Sequence, residues 1–187
     1  MSATENSQIS ICRVVSNFGL FIICEVCKVL IETRRCIIRN FEEKDINEFM
    51  SYRNDEFWMR YQGFKGLAKQ EYKKVLLKEV ALNEGTQLAI VLKDSDCLIG
   101  DIYLKQEANS VWFGYTISPL YARRGYASEA VNGMIAWIRE KGIDKILAAT
   151  LPENILSINL LKKLKFSFVG INEHGEEIYT LDFNCPK

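Results

Sequence analysis

The chain contains little histidine and little proline. It has one histidine, His174, and three prolines in 187 residues. Lys+Arg and Asp+Glu are equal at 24 each, so no net positive charge is available to hold a polyanion, and we do not expect nucleic-acid binding. Internal repeats and low-complexity stretches are also absent. With 48% hydrophobic residues, the composition predicts one domain plus an extension.

Six cysteines are present, but their spacing does not form a disulfide framework, and a chain of this length folds without such bridges. This favours a reducing, cytoplasmic setting. Cys24 and Cys27 form a CxxC pair, yet no second pair and no nearby histidine completes a zinc site. We therefore expect no metal.

The first 32 residues carry an apolar run, VVSNFGLFIIC at 14–24, between Arg13 and Glu25. The run is shorter than the ~20 residues of a membrane-spanning helix. The start, MSATENSQ, lacks the basic residues of a secretory signal. We expect neither a transmembrane segment nor a signal peptide. The segment is interpreted as a helix or strand packed on the domain, as a dimer contact, or as non-native residues from a misplaced start.

From Thr33 to residue 185, periodicity and turn residues predict a domain with the element order β-α-α-β-β-β-α-β-α-β-β. The predicted strands are 35–41, 87–93, 98–105, 111–117, 145–150, 168–173 and 177–183. The first predicted helix begins near Asp45, and the others cover 55–61, 68–83, about 127–142 and 154–164. The helix at 68–83 is predicted from the spacing of Tyr72, Val75, Leu76 and Val80, and we expect it to end near Gly85.

A candidate anion site lies at residues 122–127, ARRGYA, where a strand gives way to a helix. A glycine followed by a small residue lets a ligand approach the backbone, and the unpaired amides of a helix start suit a pyrophosphate. Arg123 and Arg124 add positive charge. The alternative is an ordinary turn with two solvated arginines.

The next strand-helix junction reads PEN, with Asn154 as a natural N-cap and Ser157 three residues later. Four segments of the chain, taken in order, resemble the GCN5-related N-acetyltransferases (GNAT), and within them the ribosomal-protein N-terminal acetyltransferases. These segments are RCIIRNFEEKDINEF, GYTISP, RRGYASEAV and ENILSINLLKKLKF. The resemblance covers about residues 33–183. It implies an α+β fold with a mixed, mostly antiparallel twisted sheet of about seven strands and helices on both faces. A V-shaped splay is expected between the fourth strand, 111–117, and the fifth, 145–150.

The resemblance also implies acetyl-coenzyme A as co-substrate. Its pyrophosphate would be held by the backbone amides of Arg123, Arg124, Gly125, Tyr126, Ala127 and Ser128. The fourth strand, ending at Ile117, would pair with the pantetheine arm and offer an amide to the thioester oxygen. Asn154 would contact the pantetheine. Ser157 would protonate the departing thiolate, unless it is a plain first-turn hydroxyl.

Three positions depart from the family pattern. Ala122 replaces the usual Gln or Arg of the phosphate turn, which removes one side-chain contact. Lys165 replaces a glycine after the last helix, which predicts a different turn. Trp112 stands where several relatives carry a glutamate base, so the usual base is missing.

Acetylation needs a neutral amine, so a proton must leave the acceptor. The sequence offers Glu173, at the end of the sixth strand, as a base acting through water. Its alternative interpretation is an exposed hairpin charge, and His174 beside it is expected to be a solvated loop residue. Tyr115 and Tyr179 either line the acceptor site or are half-buried sheet aromatics.

The predicted function is N-acetylation of a primary amine, either a protein N-terminus or a small molecule, by direct attack in a ternary complex. Two alternatives stay open. One is a coenzyme A-binding module without turnover. The other is an interaction protein or homodimer whose contact surface is the apolar segment 9–31, because a fold does not establish activity.

Overall fold

The computed structural model describes residues 12–16, 19–23 and 29–184. The start of the chain and the Cys24–Cys27 pair lie outside these residues. The strands are β1 (Cys12–Ser16), β2 (Gly19–Ile23), β3 (Val29–Glu32), β4 (Cys36–Arg39), β5 (Thr86–Leu92), β6 (Leu98–Glu107), β7 (Ser110–Ile117), β8 (Lys145–Thr150), β9 (Ser167–Ile171) and β10 (Glu177–Asp182). The α-helices are α1 (Ile46–Arg53), α2 (Lys69–Leu76), α3 (Tyr126–Glu140) and α4 (Ile155–Lys163).

Eight strands form one mixed sheet in the order β3-β4-β5-β6-β7-β8-β10-β9, and β1 pairs with β2 separately. Every pairing in the large sheet is antiparallel except β7 with β8. The predicted α+β class is confirmed. The sheet has one strand more than the expected seven, because β3 adds to its edge from within the predicted extension.

The sheet is covered on both faces, as predicted. Helices α3 and α4 pack on one face, and α1 and α2 pack on the other. Along β5, Leu88 and Ile90 enter the first core, whereas Ala89 and Val91 enter the second. Strands with two buried faces therefore appear in the sequence as continuous apolar runs.

The parallel pair β7–β8 separates partway along its length. Backbone pairing joins Ser110 to Lys145, Val111 to Ile146 and Trp112 to Leu147, and goes no further. Residues 113–117 of β7 and 148–150 of β8 then border an opening, which we call the gap. The predicted splay between these two strands is confirmed.

One predicted helix is wrong and another is too long. Residues 55–61 form turns, and Trp58 and Met59 are held there by contacts with other elements. Helix α2 ends at Leu76 instead of near Gly85. Val80 and Leu82 still pack against the core, and the Leu82 carbonyl accepts from the amide of Gln106 at 2.8 Å. The apolar residues of 77–83 therefore owe their spacing to burial against the core, and this segment is not helical.

The turn after α4 also differs from its prediction. Lys165 has a φ of 70°, and the amides of Lys165 and Phe166 donate to the carbonyls of Lys162 and Leu161, each at 3.0 Å. This is the left-handed helix ending that glycine favours. The lysine adopts it at a cost of about 1–2 kcal/mol. In the part of the chain that the structure describes, no helix is long and apolar enough to span a bilayer.

Candidate active site

The chain between β7 and α3 leaves six consecutive backbone amides free. Glu129 is the first residue of α3 whose amide reaches a carbonyl, that of Gly125 at 3.1 Å. Among the described residues, the amides of 123–128 have no acceptor. Arg123 and Gly125 have φ values of 60° and 82°. Alternating left-handed residues gather successive N–H groups into a concavity that binds anions, here at the positive end of the α3 dipole.

A carboxylate fastens the start of α3 to the turn between β3 and β4. Glu129 accepts from the Thr33 hydroxyl at 2.8 Å, the Arg35 amide at 2.6 Å and the Arg35 Nε at 2.7 Å. Burial raises the pKa of Glu129, but these donors outweigh it and hold the pKa below its ordinary value. Arg35 Nη1 also donates to the Arg124 carbonyl at 3.1 Å. Sequence reasoning missed this group, although an acidic residue in the first turn of a helix is a recognisable signal.

The edge of β7 that borders the gap carries free backbone groups. The Ser118 amide points toward β6, where it donates to the carbonyl of Ile99 at 2.8 Å. Because strand residues alternate, the amides of Tyr115 and Ile117 face the gap. The Ile117 carbonyl is already engaged, since it accepts from Trp58 Nε1 at 2.9 Å. The predicted residue Ile117 thus offers its amide, and Trp58 is a neighbour that the sequence did not reveal.

Helix α4 supplies a hydroxyl on the other side of the gap. Asn154 is the N-cap, as predicted, and its side chain accepts from the Ser157 amide at 3.4 Å. The Tyr115 hydroxyl donates to Ser157 Oγ at 3.4 Å. Burial raises the pKa of Tyr115, so the phenol is protonated at neutral pH. Ser157 and Tyr115 therefore form a pair across the gap.

The other residues considered from the sequence lie apart from this pair. Glu173 and His174 occupy the β9–β10 hairpin with side chains 88% and 74% exposed, and Glu173 Oε1 lies 3.7 Å from His174 Nε2. Tyr179 is buried in β10. Burial and its hydrogen bond to Glu177 raise the pKa of Tyr179 to about 12. Trp112 belongs to the last paired rung of β7 and β8, and its Nε1 donates to Glu107 at 2.9 Å.

A cavity of about 380 Å³ lies on the α1–α2 side of the sheet, and we call it the side cavity. Its lining includes Arg53, Gln62, Lys78, Gln87, Gly114 and Tyr115. Gly114 leaves room in β7, since a Cβ there would meet only Tyr103, at 3.8 Å. Tyr115 belongs both to this lining and to the pair with Ser157, so the side cavity and the gap meet at one residue.

A buried ion pair forms the base of the side cavity. Asp101 accepts from the Tyr52 hydroxyl at 2.7 Å, from Arg53 Nε at 3.2 Å, from Arg53 Nη2 and from Gln87 Nε2. Burial and the Asp101 charge raise the pKa of Tyr52 well above its ordinary value. With four donors, the Asp101 carboxylate has its hydrogen bonds satisfied, and the group forms a rigid floor for the side cavity.

Comparison with known proteins agrees with this geometry. Residues 35–167 match the family model described as Acetyltransferase (GNAT) domain. The chain is 32% identical to the uncharacterized N-acetyltransferase YnaD of Bacillus subtilis, over 80% of this chain and 94% of that protein. The crystal structure of a GNAT-family acetyltransferase from Bacillus anthracis is 24% identical, with a TM-score of 0.72, over 81% of this chain and 97% of the other. Mycobacterium smegmatis RimJ, solved in complex with CoA-disulfide, is 14% identical with a TM-score of 0.69, over 82% and 87%.

Proposed function

The chain belongs to the acetyltransferase (GNAT) domain family, and we propose on this premise that it moves an acetyl group from acetyl-coenzyme A to a primary amine by direct attack in a ternary complex. The observation that carries the proposal is the run of six unpaired amides, residues 123–128, beside the gap. A run of this kind suits a pyrophosphate, and coenzyme A contains one. The coenzyme held by RimJ of the same fold supports this choice.

The cofactor would lie with its pyrophosphate on the amides of 123–128 and its pantetheine arm in the gap. Arg123 and Arg124 would add charge to the phosphate turn, and Ala122 would add no contact beyond its backbone. Asn154 would border the arm at the start of α4. The amide of Ile117, or that of Tyr115, would donate to the thioester oxygen as negative charge develops on it.

The chemical step joins the amine nitrogen to the acetyl carbon and breaks the bond from that carbon to sulfur. Ser157 would donate the proton that the departing thiolate takes up. Since Tyr115 donates to Ser157 Oγ, the Ser157 proton is left free to point elsewhere. Tyr115 would thus act as a positioning residue for Ser157, which regains its proton from solvent after the thiolate has left.

Direct transfer is favoured over an acetyl-cysteine intermediate. Cys36 and Cys97 are the cysteines whose side chains the structure describes. Cys36 is buried, and burial, followed by the charge of Glu129, raises the pKa of its thiol to about 11. A neutral buried thiol is a poor nucleophile. Cys97 lies in the exposed turn between β5 and β6.

The acceptor must lose a proton before it attacks. Glu173 remains a prediction for this role, acting through water from its exposed hairpin. An α-amino group has an ordinary pKa of about 7.7–8.0, whereas that of a lysine side chain is about 10.4. A larger fraction of an α-amine is therefore neutral at pH 7.

Calorimetric titration with acetyl-coenzyme A and with coenzyme A tests the cofactor site, and thiol release in the presence of amines tests transfer. We expect binding in the micromolar range and thiol release that depends on the amine. A folded protein that binds neither ligand would contradict the proposal and favour the interaction-scaffold alternative. Binding without any amine-dependent release would favour the coenzyme A-binding module.

A further inference from the structure

The chemistry of the side cavity limits which amines it accepts. Among the described residues, its lining contains neither aspartate, glutamate nor histidine. The charged groups that line it are Arg53 and Lys78, both hydrogen-bond donors. A polyamine carries several positive charges and needs carboxylates to replace its lost water. The side cavity supplies none.

Each of these cations pairs with a carboxylate that is not part of the lining, Arg53 with Asp101 and Lys78 with Glu84. Asp101 is fully buried and occupied by its four donors. Glu84 is 67% exposed and lies 3.7 Å from Lys78, a contact that solvent weakens. Of the five N–H groups of Arg53, two point to Asp101 and one to the Phe64 carbonyl, which leaves two without a described acceptor. The side cavity therefore offers donors suited to an anion.

One acceptor group in the lining suits an amine. Gln87 gives its Nε2 to Asp101, and this fixes the side-chain orientation because an ionised carboxylate only accepts. Its Oε1 has no described partner and belongs to a residue of the lining. Tyr115 belongs to the lining and contacts Ser157, so an amine bound in the side cavity beside Tyr115 would lie next to the gap. Groups for both an anion and an amine are thus present in about 380 Å³.

We propose that the acceptor is a small primary amine that also carries a carboxylate, as an amino acid does. The carboxylate would bind the donors of Arg53 and Lys78, and the amine would meet the thioester beside Tyr115. This inference rests on the proposed function. The same chemistry also occurs at the N-terminus of a peptide whose first residues are acidic, and the experiment separates these two sources.

The test compares acceptors that differ only in the anion. Each amino acid is assayed for thiol release beside its carboxamide, its decarboxylated amine and a dipeptide with an acidic residue, and spermidine is included. We expect kcat/KM for the best carboxylate acceptor to exceed that of its carboxamide by about tenfold or more, the value of a charge-assisted hydrogen bond. Preference for the acidic dipeptide would identify a peptide source. Equal or better use of spermidine or the carboxamide would overturn the proposal.

Two lysine variants supply the matched control. Lys78→Glu reverses the charge in the lining, whereas Lys74→Glu makes the same change at an exposed position outside it. Lys78→Glu should lower kcat/KM about tenfold for carboxylate acceptors. For carboxamides it should change kcat/KM by less than about twofold. Lys74→Glu should change neither. An equal loss for both acceptor types in Lys78→Glu would contradict an anion contact.

A binding measurement separates this inference from the proposed function. The protein saturated with coenzyme A is titrated with an N-acetyl amino acid and with the N-acetyl derivative of the matching decarboxylated amine. Tighter binding of the first, weakened by Lys78→Glu, supports the carboxylate site even if no amine is acetylated. Equal binding of both refutes the site even if acetyl transfer to another amine is observed.

Discussion

The Tyr115 hydroxyl donates a hydrogen bond to Ser157 Oγ at 3.4 Å, and this contact joins strand β7 to helix α4 where the sheet opens. Tyr115 also lines the side cavity. In the proposed reaction, the acceptor would lie on one side of this tyrosine and the leaving thiolate on the other.

Replacing Ser157 by alanine should lower kcat about 100-fold, because the thiolate then leaves without its proton donor. Tyr115→Phe should lower kcat less, by about tenfold, since Ser157 loses only its partner. The double variant should resemble Ser157→Ala, because the two hydroxyls act as a unit. Single-turnover thiol release measures all three. An unchanged kcat in Ser157→Ala would contradict its role as the acid. Ser167→Ala is the control for loss of a serine, because Ser167 is exposed on β9.

The phosphate turn can be tested by a pair of glycines at the two ends of α3. Gly125 and Gly142 have φ values of 82° and 72°. A valine at either position should cost at least about 1–2 kcal/mol of folding free energy. Only Gly125→Val should also weaken acetyl-coenzyme A binding, by about 100-fold, the value of two charge-assisted hydrogen bonds. Calorimetry and urea unfolding separate these effects. Unchanged affinity in Gly125→Val would refute the assignment of residues 123–128.

The group around Glu129 should make stability depend on pH. Its pKa is held below the ordinary value, so its stabilising contribution is complete above the ordinary carboxyl pKa and is lost as the pH falls through the lowered pKa. Glu129→Gln should be less stable than the parent at pH 7, by about 1 kcal/mol because solvent screens part of the pair. The difference should shrink below about pH 4.

Urea unfolding of the parent and Glu129→Gln at several pH values measures this difference. Glu140→Gln, at the last residue of the same helix, is the control, because Glu140 is exposed. A stability difference for Glu129→Gln that stays constant from pH 7 to the acid range would contradict the contribution of its charge.

Asp101→Asn should destabilise the fold by about 3–5 kcal/mol, because it leaves the Arg53 guanidinium buried without its counter-ion. Asp96→Asn makes the same change in a half-exposed pair with Arg39 and Lys44, and should cost less than about 1 kcal/mol. Thermal and urea unfolding compare the two variants. Equal losses would show that the floor of the side cavity does not depend on its charge pair.

Much of the fold was predictable because its signals are local. Strand β8 has the predicted bounds, Lys145–Thr150, since a short apolar run between turn residues specifies a strand. Asn154 caps α4 as predicted, because a side-chain cap acts within one helical turn. The helix predictions for 55–61 and 77–83 were wrong because tertiary contacts bury apolar residues there although the backbone is not helical.

Local patterns in the sequence determined seven of the eight strands of the large sheet and the turn at 122–127 that opens α3, whereas the two covered faces and the gap between β7 and β8 were implied by the family resemblance. Tertiary structure alone decided which side chains meet there. Glu129 binds Arg35 across 94 positions, Arg53 binds Asp101 across 48, and Tyr115 meets Ser157 across 42. Such partners are set by how the elements pack in space, and one sequence carries no local pattern for that arrangement.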